Sequence, residues 1–375
     1  MSPPSDGIFV SQDLRRLVAD GGIGADRPVT RAQIQPSSLD LRLGARIWQL
    51  QCSFIPGARG VRDHIRQVAW DERSLDEQTP LVLRQGVVYL AELEEWLELP
   101  PEVWGRANPK SSSGRLDVFV RLLTEQGLSY DRVPAGYRGP LYLEISPQSF
   151  HVAVRRGDTL GQLRLATGRP RLDEPALAEW QATRPVIWWK DGRPAPVAFD
   201  DDTPGVQLSV DLHEGEPNGG GQDAGYLALR HRPPIDLARR DVPREAYWVP
   251  IPADRESRGV VLEPDQFYIF ATRERLSIPP ELCAELVPFD ATKGELRTHY
   301  AGFIDSGFGV DATGSPGARL VLEIRTRDVP FLLEHGQPLF RVELMRNRAV
   351  PDVLYGTGVP SHYQMQGLKL AKQFG

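Results

Sequence analysis

Cysteine is almost absent from this chain: Cys52 and Cys283 are the only two in 375 residues. Two isolated thiols can build neither a disulfide framework nor a cysteine-based zinc site, and their scarcity fits a reducing compartment. No apolar run approaches the length of a membrane span, and the N-terminus MSPPSDGIFVSQDL has no charged segment leading into an apolar core. The chain therefore reads as cytoplasmic, with no membrane partner. A basic surplus is lacking too, since 44 lysines and arginines stand against 50 aspartates and glutamates, for a net charge of −6. Without a global positive field, nucleic acid is disfavoured as a partner. The GxxxxGK[ST] phosphate loop does not occur.

Proline and glycine are abundant, 33 and 35 residues, and they punctuate short alternating apolar runs that recur in pairs. VLRQGVVYL (Val82 to Leu90) answers VLEPDQFYI (Val261 to Ile269), and LPPEV (Leu99 to Val103) answers IPPEL (Ile278 to Leu282). LYLEI (Leu141 to Ile145) answers LVLEI (Leu320 to Ile324), and RRGDTLGQLRL (Arg155 to Leu165) answers EHGQPLFRVEL (Glu334 to Leu344). Every pair is 179 positions apart, a register held over 84 residues, as in a duplicated β domain. The length suits two cores, placed at 1–180 and 181–375 with the boundary between Ala166 and Pro204. Helix is expected only in SQDLRRLVADGG, capped by Ser11, and over Glu174 to Thr183. QPSSLDLRLG reads as a strand whose counterpart VQLSVDL sets Asp40 against Asp211.

Three features carry chemistry. Glu144 and Glu323 are acids inside strands, where alternation gives them buried neighbours; such an acid either works as a proton carrier or pairs with a buried arginine. Lys110, Ser111, Ser112, Ser113, Gly114 and Arg115 gather two cations and three hydroxyls on a flexible backbone, a composition shared by phosphate-binding segments and by polar turns. The second copy has no such set at the corresponding Phe289 to Gly294, but YAGFIDSGFG (Tyr300 to Gly309) forms a hairpin able to read a planar base edge-on. The first copy's hairpin, SYDRVPAGYRG, holds Arg132.

In order, KSSSGRLDVFVRL, DRVPAGYRGPLYLEI and the tail HYQMQGLKLAKQF resemble the dCTP deaminase branch of the dUTPase-like superfamily: its Arg-Ser-Ser-x-x-Arg phosphate segment, its His-Arg-Ile-Asp-Pro-Gly-Trp hairpin followed by a catalytic Glu, and its Lys-Tyr-Gln-x-Gln-Gly lid. The resemblance covers most of both copies. It implies a mainly β fold of two tandem dUTPase-like distorted barrels of jelly-roll type with few short helices. It also implies hydrolysis of dCTP to dUTP and ammonia, a step supplying dUMP and dTTP synthesis, with Mg²⁺ carried on the triphosphate and no zinc. The zinc-deaminase signature H-x-E with P-C-x-x-C is indeed missing.

Members of this superfamily close in threes, so a homo-oligomer is expected, and their sites combine segments from neighbouring subunits. The site implied here sets Lys110, Ser111, Ser112 and Arg115 of the first copy against Ala301, Ile304, Asp305, Glu323, Tyr363, Gln364 and Gln366 of the second, while Arg132 and Glu144 are the first copy's own hairpin residue and candidate acid. Lys110 replaces the family's first Arg, and Val133-Pro134 replaces Ile-Asp in the first hairpin, so Glu323 ranks above Glu144. AGFIDSGFG also resembles the uracil-reading hairpin of dUTP diphosphatases, which keeps open a diphosphatase or a bifunctional enzyme. A nucleotide-binding regulator without catalysis is the reading from another class.

Overall fold

A computed structural model describes residues 6–199, 205–213, 223–254, 256, 259–287, 296–298, 302–310, 317–357 and 362–374. Strands dominate. The α-helices among the described residues are Ser11–Ala19, Gly60–Val68, Ser111–Gly114 and Glu174–Thr183, none longer than ten residues. The first and last were legible from their apolar spacing, but Ser11 does not cap. It occupies the first helical turn after Val10, and its hydroxyl donates to Asp352.

In the first half one sheet runs Val118–Thr124, Arg138–Pro147, Val88–Glu98, Leu39–Leu50, Thr159–Thr167, Trp104–Pro109, Arg132–Val133 and curls into an almost closed barrel. The second half repeats that order in two pieces. Leu296–Thr298, Ala318–Thr326 and Phe267–Leu276 form one, and Val206–Ser209, Pro338–Arg346, Leu282–Val287 and Phe303–Ile304 form the other, joined by the Val210–Thr272 bridge. Individual hydrogen bonds recur at the 179 spacing. Arg84 N–H donates to Tyr89 Oη at 3.0 Å, and Glu263 N–H to Tyr268 Oη at 2.9 Å. The ladder also corrects one expected pairing. Gln162 lies opposite Asp40 and Arg341 opposite Gln207, so the counterpart of Asp40 is Gln207, and Asp211 sits four positions further on. Matching the two acids used residue identity alone, whereas the partner strand sets which positions correspond.

The interior does not divide cleanly between the halves. The core around Leu14, Leu41, Val120 and Leu163 also takes in Tyr226, Trp248, Phe267 and Val321, together with Leu370, Ala371 and Phe374 of the tail. Alternation along Ala318–Thr326 explains how: Leu320, Leu322 and Ile324 point into the second core, while Val321, Glu323 and Arg325 face the first half. Arg325 donates to Asp117 and, at 2.9 Å, to Ser149 Oγ; the Asp117 carboxylate is fully buried. Asp117 has φ 54°, a conformation Asn also tolerates. Asp117→Asn should therefore keep the turn while leaving Arg325 buried beside a neutral amide, at a cost of about 3 kcal/mol in denaturant unfolding. A loss well under 1 kcal/mol would mean that apolar packing alone docks the halves.

Candidate active site

Lys110 directly follows the Trp104–Pro109 strand. Its N–H donates to Leu160 O at 2.8 Å, and its own carbonyl accepts from the N–H groups of Ser113 and Gly114 at 2.8 and 3.1 Å, which turns the chain into the one-turn helix. Ser111 and Ser112 therefore sit where helical N–H groups have no intrahelical partner. Lys110 Nζ pairs with Asp40, so the strand Leu39–Leu50 fixes the ammonium.

Arg115 follows the helix and is almost completely buried. One terminal nitrogen donates to Gln366 Oε1 and the other to Lys369 O, both at 2.8 Å, and the guanidinium lies over the Tyr363 ring at 4.0 Å. Its Nε is buried without a hydrogen-bond partner, 3.9 Å from Glu323 Oε1. That gap is too long for a direct hydrogen bond and suits a bridging water or substrate atom. Burial pushes the Glu323 carboxyl up to about 8 against the opposing pull of Arg115, so Glu323 is poised to exchange a proton near neutral pH.

These groups line one cavity of about 140 Å³ together with Ile304, Asp305, Phe308 and Tyr355. Lys110, Ser111, Ser112, Arg115, Ile304, Asp305, Glu323, Tyr363 and Gln366 thus line one pocket, the first four from one half and the rest from the other. Asp305 is held by three donors, Ser37 at 2.6 Å, Ser38 at 3.2 Å and Arg164 at 3.0 Å, and so anchors the hairpin. Ala301 lies outside the described residues.

Three expected members stand apart. Gln364 accepts from Gly309 N–H and donates to Gly307 O and Val310 O, bracing the turn behind the hairpin. Arg132 is exposed and lines a different cleft with Arg121, Tyr130 and Asp131. Glu144 accepts from Tyr130 Oη at 3.3 Å and lies opposite Arg121 in the sheet, the structural fate of a strand acid beside an arginine. The hairpin of Arg132 and the strand of Glu144 belong to the first half, whereas the Lys110 to Arg115 segment faces the second.

Sequence reasoning missed Asp40 as a pocket residue, and also Gln162, His362 and Lys372. Lys372 is pushed down to about 8 by burial and by Lys110 and Arg240 nearby, and His362 is lowered by burial and by surrounding cations. Cations crowded enough to depress one another mark a place for a polyanion. Among the described residues no group of three His, Cys, Asp or Glu is gathered in a way that could hold a metal ion.

Two family models describing 2'-deoxycytidine 5'-triphosphate deaminase match the chain, the N-terminal domain over residues 5–169 and the C-terminal domain over residues 177–374. The dCTP deaminase of Natronomonas pharaonis is 29% identical over 181 residues, 46% of this chain and 86% of that protein. The dCTP deaminase, dUMP-forming, of Mycobacterium avium is 31% identical over 183 residues, 47% of this chain and 87% of that protein. Each relative spends most of its own length on less than half of this chain, as expected if the chain holds two such units. A crystal structure of 2'-deoxycytidine 5'-triphosphate deaminase from Agrobacterium tumefaciens superposes with a TM-score of 0.83 at 38% identity, covering 92% of this chain and 99% of that one. With both halves matched in order and one solved relative aligned almost end to end, the chain belongs to the dCTP deaminase family of enzymes.

Proposed function

We propose that this protein deaminates dCTP hydrolytically to dUTP and ammonia, with Glu323 as the proton carrier and no metal at the base. The observation that carries the reading is the buried Glu323 carboxyl, 3.9 Å from an Arg115 Nε that has no hydrogen-bond partner, at the end of a cavity lined by Lys110, Ser111 and Ser112. The triphosphate lies against Lys110, the two serines and Lys372, and the Phe303–Ile304 hairpin reads the base. Glu323 takes a proton from water as the water oxygen bonds to C4, and passes it to N3. A second proton then moves from the new hydroxyl to the exocyclic amine, which leaves as ammonia. The Mg²⁺ expected with the substrate fits this lining at Asp40, whose buried Oδ1 lacks a hydrogen-bond partner; bound there with the phosphates, it would neutralise part of their charge. The described lining residues all come from one chain, with the phosphate side from its first half and the proton carrier from its second.

Incubation with dCTP should yield dUTP and ammonia at a rate that a zinc chelator leaves unchanged. Accumulation of dUMP instead would reveal a bifunctional enzyme, and no product at all a nucleotide-binding regulator. Glu323→Gln should lower turnover roughly 10² to 10⁴-fold with dCTP binding kept, and Glu144→Gln should leave turnover intact. A dead Glu144→Gln beside an active Glu323→Gln would move the chemistry to the first half.

The pH dependence follows from the raised carboxyl. A base must be ionised, so kcat/KM should climb roughly tenfold per pH unit below about 8 and level off above. Stability runs the other way. Between the unfolded value near 4.5 and the folded value of about 8 the folded state holds a proton the unfolded chain has lost, so stability falls as pH rises through that window. Glu323→Gln should accordingly melt above the wild type at alkaline pH, with the difference closing near pH 5; parallel melting curves at every pH would show that the carboxyl is ionised when folded.

A further inference from the structure

In the second half, a separate cleft of about 680 Å³ has no part in the reaction just described. Its described lining residues include five cations, Lys190, Arg193, Arg273, Arg275 and Arg319, against two carboxylates, Asp191 and Asp211. Both acids are already engaged, Asp191 with Arg193 at 2.7 Å and Asp211 with Arg319 at 3.1 Å. Arg273 and Arg275 lie two apart on one strand and so share a face. Arg275 stands directly opposite Arg319 across the antiparallel pair, which brings two guanidinium groups to one place on the sheet, Arg319 with Asp211 beside it. Arg273 lies over the Trp189 ring at 5.2 Å and makes no hydrogen bond or ion pair among the described residues.

The first half fills the equivalent place with an ion-pair network. The counterpart of Arg273 is Glu94, a buried acid that pairs with Arg27 at 2.6 Å, Arg42 at 3.2 Å and Arg156 at 3.0 Å. In the second half the acid has become Arg273, while the counterparts of Arg42 and Arg156 are Ser209 and His335. A closed network around a central carboxylate has been replaced by an open cleft around a central cation.

We propose that this cleft binds an oligophosphate, either free or as the tail of a nucleotide, and that binding there is felt at the tail over the catalytic pocket. Several guanidinium groups across one cleft match the spread charge and paired oxygens of a phosphate chain better than any single carboxylate. Arg319 provides the link. Its side chain lines the cleft, while its N–H donates to Gln366 O and its carbonyl accepts from Gln366 Nε2, both at 3.1 Å. The other end of Gln366 accepts from Arg115. The binding claim is independent of the catalytic reading; its coupling to turnover rests on that reading.

Inorganic triphosphate titrated calorimetrically into the full chain should fill two sites in the wild type, the catalytic pocket and the cleft. Arg273→Glu, which restores the first half's residue, should weaken the second site by roughly tenfold or more, and so should Lys190→Glu at an exposed position that cannot unfold the chain. Neither variant should change dCTP turnover when triphosphate is absent. A parallel titration with ATP separates the sources: equal affinity means that phosphate alone is recognised, and tighter binding means a nucleotide. The same two-site isotherm in the wild type and both variants, or one dCTP-competitive site throughout, overturns the binding proposal whether or not the protein deaminates dCTP. Coupling is read as a response of the dCTP KM to triphosphate that differs between wild type and Arg273→Glu; identical responses would leave the cleft a binding site without regulation.

Discussion

A carboxyl group and a guanidinium, both removed from water and not quite in contact, set the terms for this site. Glu323 and Arg115 are each nearly inaccessible and 3.9 Å apart. Burying an acid this deeply is costly unless it stays protonated or gains a partner, and here the balance leaves it poised near pH 8. The same guanidinium holds the tail through Gln366 and Lys369 and belongs to the first half, while Glu323 belongs to the second. One buried cation therefore joins three stretches of chain distant in sequence, and disturbing it would loosen the tail, the contact between halves and the setting of the Glu323 carboxyl together.

Divergence between the halves is most evident where their equivalent positions meet. Arg106 and Glu285 occupy the same place 179 residues apart and bond to each other at 3.1 Å. Two identical copies would have brought like charges together there. Arg164 likewise corresponds to Glu343; the first reaches Asp305 of the base-side hairpin and the second pairs with Arg171. Such exchanges make the contact favourable for unlike halves and unfavourable for like ones, so the arrangement that faces the phosphate segment toward Glu323 is also the one the charges select.

How much of this could be read from sequence depends on how far each signal reaches. The repeat was visible because Pro-Pro turns, Gly turns and alternating strands are local, and the hydrogen bonds they imply recur in place, as at Tyr89 and Tyr268. The Asp40–Asp211 pairing failed because residue identity was matched without the ladder that sets register. Glu323 and Glu144 carry the same local signal; what separates them is whether the facing segment brings Arg115 or Tyr130 and Arg121, and no local pattern encodes that. In the tail, Gln366 reaches the pocket while Gln364 braces the turn, a difference set by where the chain docks.

The depressed lysine adds a consequence for the tail. Lys372 lies beside Lys110 and Arg240, and with the pocket as described, part of its difficulty in holding a proton is their mutual repulsion. A triphosphate bound among them would reverse that repulsion, so the anion should raise the lysine's affinity for its proton and the tail's hold on the pocket together. Closure of the tail and binding of a polyanion are then two aspects of one equilibrium, because each favours the same charged arrangement. Tyr363 takes part in both, its ring under Arg115 and its hydroxyl accepting from Lys372 N–H at 3.1 Å. The tail segment that would meet the phosphates is also the one that packs against the guanidinium facing Glu323, so an anion there would be felt at that carboxyl.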